Sequence, residues 1–507
     1  VYYRINGGDF TAASGTVNWA ASVPVVAGTN VLEVKSVDGV GNESAVGKVT
    51  FFYAVQSPFQ LNITGTGQVL SASSAFGTPT NGAMLEVGRA YKLTALVGAG
   101  TNSVFTNWTA GNGAVLQTNA LTYQFVMQSN LTINANFIAN PLARYGGLYN
   151  GLFHEAGDIR HQSSGFITVK VTPQFGYSGK LSLGGDAVSF SGKLRIDGTG
   201  ERVVSRSKQG KSDLELGLAL DFAGGSDTLS GTVRDTVAGW TAVVGADRWV
   251  WTTNAEALNY TNSYTMMIPG FGDNADGPVG HGHATATIDS LGRLKMAGSL
   301  GDGHAIKQGT TVSTNGQWPL YVPLYVTADQ VVTIGAVTKT NKEYQGSLLG
   351  WLTFAANTKA GTTNLAPQGE VSWIKTGWTN NAYSAGFTNL AEIIGSRWLA
   401  PAAGSRAMAM TQGEAVLAEG DLPGSFAAGV ELTGDNKLMA TLPLVNNFKG
   451  ALSVKTGLMK GTFQHPLTLA PAKPTAWGGV LLQDWNFGRG HFTGTNLSGT
   501  VSLDPTP

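Results

Sequence analysis

From Tyr145 to Leu503 one five-residue pattern keeps returning: apolar, any residue, glycine, any residue, apolar. It reads Tyr177-Ser-Gly-Lys-Leu181, Phe190-Ser-Gly-Lys-Leu194, Leu229-Ser-Gly-Thr-Val233 and Met296-Ala-Gly-Ser-Leu300. Further on come Tyr344-Gln-Gly-Ser-Leu348, Phe448-Lys-Gly-Ala-Leu452, Met459-Lys-Gly-Thr-Phe463 and Leu497-Ser-Gly-Thr-Val501. A strand alternates faces with period two, so both apolar residues and the glycine share one face. The missing side chain lets the strand bend or a bulky neighbour pack over it. Repeated along the chain, the pattern predicts a curved antiparallel meander that closes on itself. At about 15 residues per strand and turn the region holds roughly 18–26 strands, enough for one large barrel or two stacked smaller ones.

The remaining signals agree on an all-β chain. Nearly every segment alternates with period two between clusters of Gly, Asn, Thr and Asp. The best helical candidate is Asn389-Leu-Ala-Glu392-Ile-Ile394, where Asn three residues before Glu predicts a capped turn or two. Glycine accounts for 69 of 507 residues, about twice the usual share. Lys and Arg total 32 and so do Asp and Glu, for a net charge of zero, with charged residues only 13%. That balance argues against a nucleic-acid partner, which needs a basic surface to displace counterions. No apolar run approaches the ~20 residues of a spanning helix. Cysteine is absent, which removes disulfides, thiolate zinc sites and Cys nucleophiles and fits a protein exported to an oxidising space. The chain opens on Val1 without a signal segment, so it is expected to be part of a longer polypeptide.

Three segments divide the chain: residues 1–55, 58–138 and 145–507. In the first, Tyr3-Arg-Ile5 and Val31-Leu-Glu-Val-Lys-Ser-Val37 alternate, Asn6-Gly7-Gly8 makes a tight turn, and Val49-Thr-Phe-Phe-Tyr53 closes. Ala27-Gly-Thr-Asn-Val-Leu32, the Asp38…Gly41-Asn42 turn and that closing aromatic strand resemble the bacterial immunoglobulin-like modules of large surface proteins. Such sandwiches have about seven strands and 100 residues, so this one is expected to be a fragment without its opening strands. The second segment carries Gly65-Thr-Gly67-Gln-Val69, Tyr91-Lys-Leu-Thr-Ala95, Val104-Phe-Thr-Asn-Trp108 and Asn130-Leu-Thr-Ile-Asn-Ala-Asn-Phe137. It resembles the repeat module named after internalin B, a resemblance that implies a stalk unit with Trp108 and the Ala135-Asn-Phe137 strand in its core. The flanks of the third, Tyr149-Asn-Gly-Leu-Phe153 and Trp477-Gly-Gly-Val-Leu-Leu-Gln483, resemble the terminal β-region of large exported proteins of environmental bacteria. That implies location and no activity. An outer-membrane barrel would need an outward band of large apolar residues; here strand faces often carry Ala, Gly, Ser and Thr, which favours a soluble barrel.

Few residues point to chemistry. Gly280-His281-Gly-His283 and Asp302-Gly-His304 gather three His and an Asp, ligand types for zinc. A type I turn with a Gly bulge at Asp289-Ser-Leu-Gly292 sets the register, pairing Asp289 with Arg293. Ile288, Ala286 and Ala284 then face Leu294, Met296 and Gly298, while Thr287, Lys295, Thr285, His283 and His281 line the polar face. Asp302 and His304 fall on the opposite parity, so two surface histidines are the preferred reading of His281 and His283 over a metal site. Phe271-Gly-Asp273-Asn274-Ala-Asp276-Gly277 clusters hard oxygens that suit calcium, but without the twelve-residue spacing and closing Glu. An ordinary turn is preferred for Asp273, Asn274 and Asp276, and for Asp38…Asn42. No metal is expected to be required for folding. No Gly-x-Ser-x-Gly, His-Glu-x-x-His or phosphate loop occurs. Of 12 tryptophans, Trp373 and Trp378 beside the loop from Gly377 to Asn381 are the best candidates for exposed platforms that stack on a sugar, although burial is the usual fate of Trp.

These observations predict a bacterial extracellular or cell-surface protein with a structural or adhesive role and no catalysis. Its expected partners are other extracellular proteins or surface glycans. A carbohydrate-binding or carbohydrate-acting barrel is one alternative. The other is a filament subunit, in which a neighbour's strand adds beside Tyr2-Arg4 or Val49-Tyr53.

Overall fold

The computed structural model describes the chain except for residues 97–101, 119, 223, 328–329, 335–336, 378–381, 467–472 and 507, and the side chains of 330–334 and 337–341. Residues Val1–Ala143 and Arg144–Pro507 form two compact units. The structure is all-β, with a four-residue helix at Leu142–Tyr145. Among the described residues no helix is long and apolar enough to cross a membrane.

In the first unit, residues 1–55 form one four-stranded sheet in the order Thr11–Ala12, Tyr2–Ile5, Gly28–Lys35, Gly47–Tyr53. None of their large apolar side chains is fully buried, and Val49 and Tyr53 are exposed. Tyr2 and Tyr3 are paired on both sides, so of the two edges anticipated for strand addition Gly47–Tyr53 is the one open along its length. Residues 56–139 fold as a four-stranded and a three-stranded sheet with a two-stranded ribbon, Gln56–Pro58 with Met84–Glu86, around a core that holds Phe59, Leu93, Phe105, Trp108, Ala135 and Phe137. The Trp108 indole donates to the Ala120 carbonyl at 3.2 Å. Gly67 is required here because a Cβ would lie 2.2 Å from the Phe137 ring.

The second unit contains three eight-stranded antiparallel sheets, each curled into a nearly closed barrel, rather than one large barrel or two. With the separate hairpin of Gln330–Ile334 and Val337–Asn341, the described residues of the unit form twenty-six strands, at the top of the expected range. The barrels run from Gly147–His154 to Trp240–Trp249, from Ser263–Ile268 to Phe387–Trp398, and from Gln412–Glu419 to Ser498–Pro505. In each the first strand pairs with the last: Leu148 faces Trp249, Ser263 faces Trp398 and Gly413 faces Pro505. The unbonded seam therefore falls mid-meander, between strands four and five in the first two barrels and three and four in the third.

Local chemistry explains how the meander turns. Asp289 N–H donates to Arg293 C=O at 3.1 Å, with Gly292 in the left-handed region at φ 66°, as the turn signal predicts. The same five-residue turn recurs at Arg195–Thr199, Leu300–His304, Ser313–Gln317 and Thr433–Lys437. The predicted register holds, with Ile288 opposite Leu294 and Ala284 opposite Gly298. The recurrent glycines make room for rings: a Cβ on Gly179 would meet Phe190 at 2.6 Å, and one on Gly499 would meet Phe492 at 2.2 Å. Apolar residues turn inward, as in Leu214, Leu216, Leu218 and Leu220, so the barrels are filled by side chains, almost all their own, with Trp398 of the second joining the core of the third.

The expected helical turn at Asn389–Ile394 is a strand instead, part of Phe387–Trp398. Ala391 and Ile393 face the core while Leu390 and Glu392 face solvent, and both edges are paired. Two β-ladders and a buried apolar face outweigh a weak local capping signal. Apolar joints link the barrels. Leu152 of the first meets Tyr321, Leu349 and Ile374 of the second, and Met267 of the second meets Val480 and Leu482 of the third.

Candidate functional site

The loops at one end of the second barrel bring a cluster of titratable side chains together. Asp302 and His304 sit in the turn after Arg293–Ser299. Tyr325 ends the strand Gln317–Val326, and Trp373 and Lys375 end Leu365–Lys375. The Tyr325 hydroxyl donates to Asp302 Oδ2 at 2.7 Å and accepts from the Trp373 indole at 2.7 Å. His304 lies 4.9 Å from the Tyr325 ring. The nearly buried Lys375 ammonium donates to the Ala382 and Tyr383 carbonyls. Burial, reinforced by the Asp302 charge and hydrogen bond, holds the Tyr325 phenol far above its ordinary value. Burial lowers Lys375 and His304, and the Asp302 carboxylate opposes both shifts. With these donors spent within the chain, the cluster acts as a polar plug for the barrel end. Removing its central hydroxyl leaves a carboxylate and an indole N–H short of a partner. Tyr325→Phe is expected to cost about 2–4 kcal/mol, because an unsatisfied buried group loses its full solvation; urea melts of the variant check it.

Trp373 belongs to this plug. It is fully buried, with its ring edge-on to Phe387 at 5.1 Å, and so is no surface platform for sugars. The driving term is the large apolar area that an indole removes from water. Trp378 lies outside the described residues.

His281 and His283 are not surface residues either. Their strand face is exposed at Thr287 and Lys295 but covered by the third barrel at its upper end. The His283 ring lies 5.2 Å from His491, and His491 Nδ1 pairs with the His281 carbonyl at 3.0 Å. Burial, helped by the Arg489 charge and by repulsion from His491, pushes His281 down to about 4. Burial and then His491 push His283 down to about 3. Burial likewise lowers His491, against the pull of its bond to His281 and the Asp302 charge. Asp302 is engaged by Tyr325, so it does not join the two histidines. Among the described residues no three His, Asp or Glu side chains come together in a way that could hold a metal ion.

The Asp273–Gly277 loop uses its oxygens on itself and its neighbours. Asp273 Oδ1 accepts from Ala275 N–H at 2.8 Å, and its carbonyl accepts from Asp276 and Gly277. Asn274 accepts from the Tyr383 hydroxyl at 2.7 Å and donates to Glu419 of the third barrel at 3.4 Å. Asp38 similarly accepts from the Val40 and Asn42 backbone and from the Asn42 side chain, whose hydrogen bond is the main cause of its lowered pKa.

An open groove of about 540 Å³ lies at the joint of the first two barrels, lined by Arg160, His161, Lys211, Trp240, Glu343 and Tyr344 among others. Its wall includes a buried ion pair, Arg206 to Asp235 at 2.6 Å, to which the Ser212 hydroxyl adds a bond at 2.6 Å. His161 pairs through Nε2 with the Tyr344 carbonyl at 2.8 Å, while its buried Nδ1 has no partner. Sequence reasoning missed this site. Its residues come from segments up to 217 positions apart, Arg160 to Gly377, with no local motif to unite them.

No protein-family model and no curated protein matches the chain. Among solved structures, the isotype 1 transferrin binding protein B of serogroup B Neisseria meningitidis is 10% identical, covering 94% of this chain and 84% of that one, with a TM-score of 0.16. A likeness at that score carries no argument about fold or function.

Proposed function

We propose that this chain is a secreted or cell-surface bacterial protein that binds and scaffolds rather than catalyses. The observation that carries the reading is that all three barrel interiors are filled by side chains of this chain. Recognition then falls to joints, grooves and strand edges, the surfaces an adhesive or structural protein uses. Fractionation of the source cells is expected to recover the protein from the surface and medium; a mainly cytosolic protein would sink the reading.

A second reading, glycan binding, is favoured by the groove between the first two barrels. Trp240 and Tyr344 supply apolar surface there, and Arg160 and Lys211 supply donors. A glycan array run on the wild type and Tyr344→Ser separates the two. Binding that disappears in the variant supports the groove, and an array that stays blank removes this reading.

A further inference from the structure

The three seams are finished differently. In the second barrel the seam lies between Ala305–Thr311 and Gln317–Val326. Pro319 and Pro323 have no N–H to offer, and the Gln308 side chain crosses the gap. It donates to the Pro319 carbonyl at 2.9 Å and accepts from the Trp318 indole at 2.9 Å. In the third barrel the facing strands are short, Leu438–Ala440 and Lys449–Leu452. Prolines, side-chain stitches and short strands are how sheets discourage foreign strands.

The first barrel has neither the prolines nor the short strands, and its one side-chain stitch is a tyrosine hydroxyl. Its seam runs between Asp186–Lys193 and Thr199–Val204, eight and six residues long and free of proline. Leu194 N–H donates to Phe175 C=O at 2.7 Å on the paired side. Alternation therefore turns the N–H and C=O groups of Ala187, Ser189 and Ser191 toward the seam. On the other strand, Leu220 N–H donates to Gly198 C=O at 3.2 Å, so Glu201 and Val203 turn theirs toward the seam. The Tyr177 hydroxyl reaches the Glu201 carbonyl at 3.2 Å and Arg195 N–H donates to Thr199 C=O at the turn, but beyond that turn no β-ladder joins the two strands.

A groove of about 670 Å³ occupies this seam. Arg202 stands opposite buried Leu216, at a register position that points into the barrel, yet its side chain is exposed. It leaves through the open seam. Lys208 is the other cation lining the groove, and no carboxylate lines it.

We infer that the seam of the first barrel accepts an extended acidic segment of a partner protein as an added strand, with a carboxylate against Arg202. The facing backbone edges demand an extended chain, and the two cations demand negative charge. Val188, Phe190 and Val204 along the rim can take alternate apolar side chains. The five residues 187–191 span about 17 Å at ~3.3 Å each, the length of an ordinary strand. This inference deepens the binding reading by naming how a partner docks. Its test uses purified protein, so its failure leaves cellular location and glycan binding untouched.

The probe is a fluorescein-labelled peptide of about ten residues alternating valine and glutamate, titrated against the full chain and read by anisotropy. It is expected to bind at micromolar concentration. A valine–lysine counterpart and the Arg202→Glu variant should each weaken binding at least tenfold. Ser189→Pro removes a seam-facing N–H without breaking any intramolecular bond, so its melting temperature should match the wild type while binding drops at least tenfold. A valine–glutamate peptide N-methylated on alternate residues should lose binding to the same extent. Binding that survives both Ser189→Pro and N-methylation would reduce the effect to charge attraction and overturn the inference, as would no binding up to about 1 mM.

Discussion

Acidification from pH 7 to 5 is expected to destabilise the second and third barrels by about 4 kcal/mol, ahead of the main titration of the carboxylates. The cause is the histidine layer between them. His281 and His283 titrate near 4 and 3 when folded, against an ordinary value of 6.5. The unfolded chain therefore binds more protons than the folded one below pH 6.5, and stability falls as pH drops through that value. No penalty exists above it. At pH 5 each histidine holds back about 1.5 units of protonation free energy, roughly 2 kcal/mol apiece at 1.36 kcal/mol per unit. Arg489 on the adjoining strand deepens the shift in His281, and the Asp302 carboxylate pulls His491 the other way. Urea melts at pH 7.5, 6.5 and 5.0 measure the slope, and the double variant His281→Gln, His283→Gln should flatten it. A wild-type profile flat between pH 7 and 5 would show that these rings are not buried neutral.

Gly461→Ala is expected to destabilise the third barrel by about 3–5 kcal/mol, the sum of overpacking and a broken buried hydrogen bond. A Cβ there would stand 1.9 Å from the Lys449 carbonyl oxygen and 2.4 Å from Trp477 Nε1. Those two atoms are themselves bonded at 3.1 Å, so one methyl group wedges between donor and acceptor. The indole has little room to retreat, being stacked on Phe448 at 5.4 Å. Gly245→Ala is the matched control. Its Cβ meets nothing within 4 Å, so the change should be neutral or stabilise by up to ~1 kcal/mol through the smaller entropy loss of alanine. Thermal melts of the two variants decide the matter. Equal effects would mean that the glycines serve only backbone flexibility and not ring packing.

What could be read beforehand was what short stretches encode. The Asp289–Gly292 turn and its register were legible because a bulge with a left-handed glycine leaves one way to pair the flanking residues. The core positions Trp108, Ala135 and Phe137 were anticipated from the resemblance to the internalin B repeat module, and all three are buried. The number of barrels was not, because closure pairs Leu148 with Trp249, 101 positions later, and nothing local in either strand announces the other. The polar face bearing His281 and His283 was correctly derived but wrongly taken to meet solvent. What covers it is His491 and its strand, some 200 residues downstream. The Arg206–Asp235 pair and the groove around it were invisible for the same reason. Trp373 was misjudged because proximity to a Gly/Asn loop outweighed the plain area argument for burying an indole.

The pairing of first strand to last in every barrel has a mechanical side. Because those strands are antiparallel neighbours, the chain enters and leaves each barrel at the same end, at Leu148 and Trp249, Ser263 and Trp398, Gly413 and Pro505. Tension applied along the polypeptide pulls such a pair open from that end, loading its hydrogen bonds one after another instead of all together. A barrel pulled this way unzips at low force, whereas strands held in shear would resist until many bonds failed at once. If the chain hangs between two anchored objects, the three barrels yield in turn and release slack, making them extensible fuses rather than rigid struts.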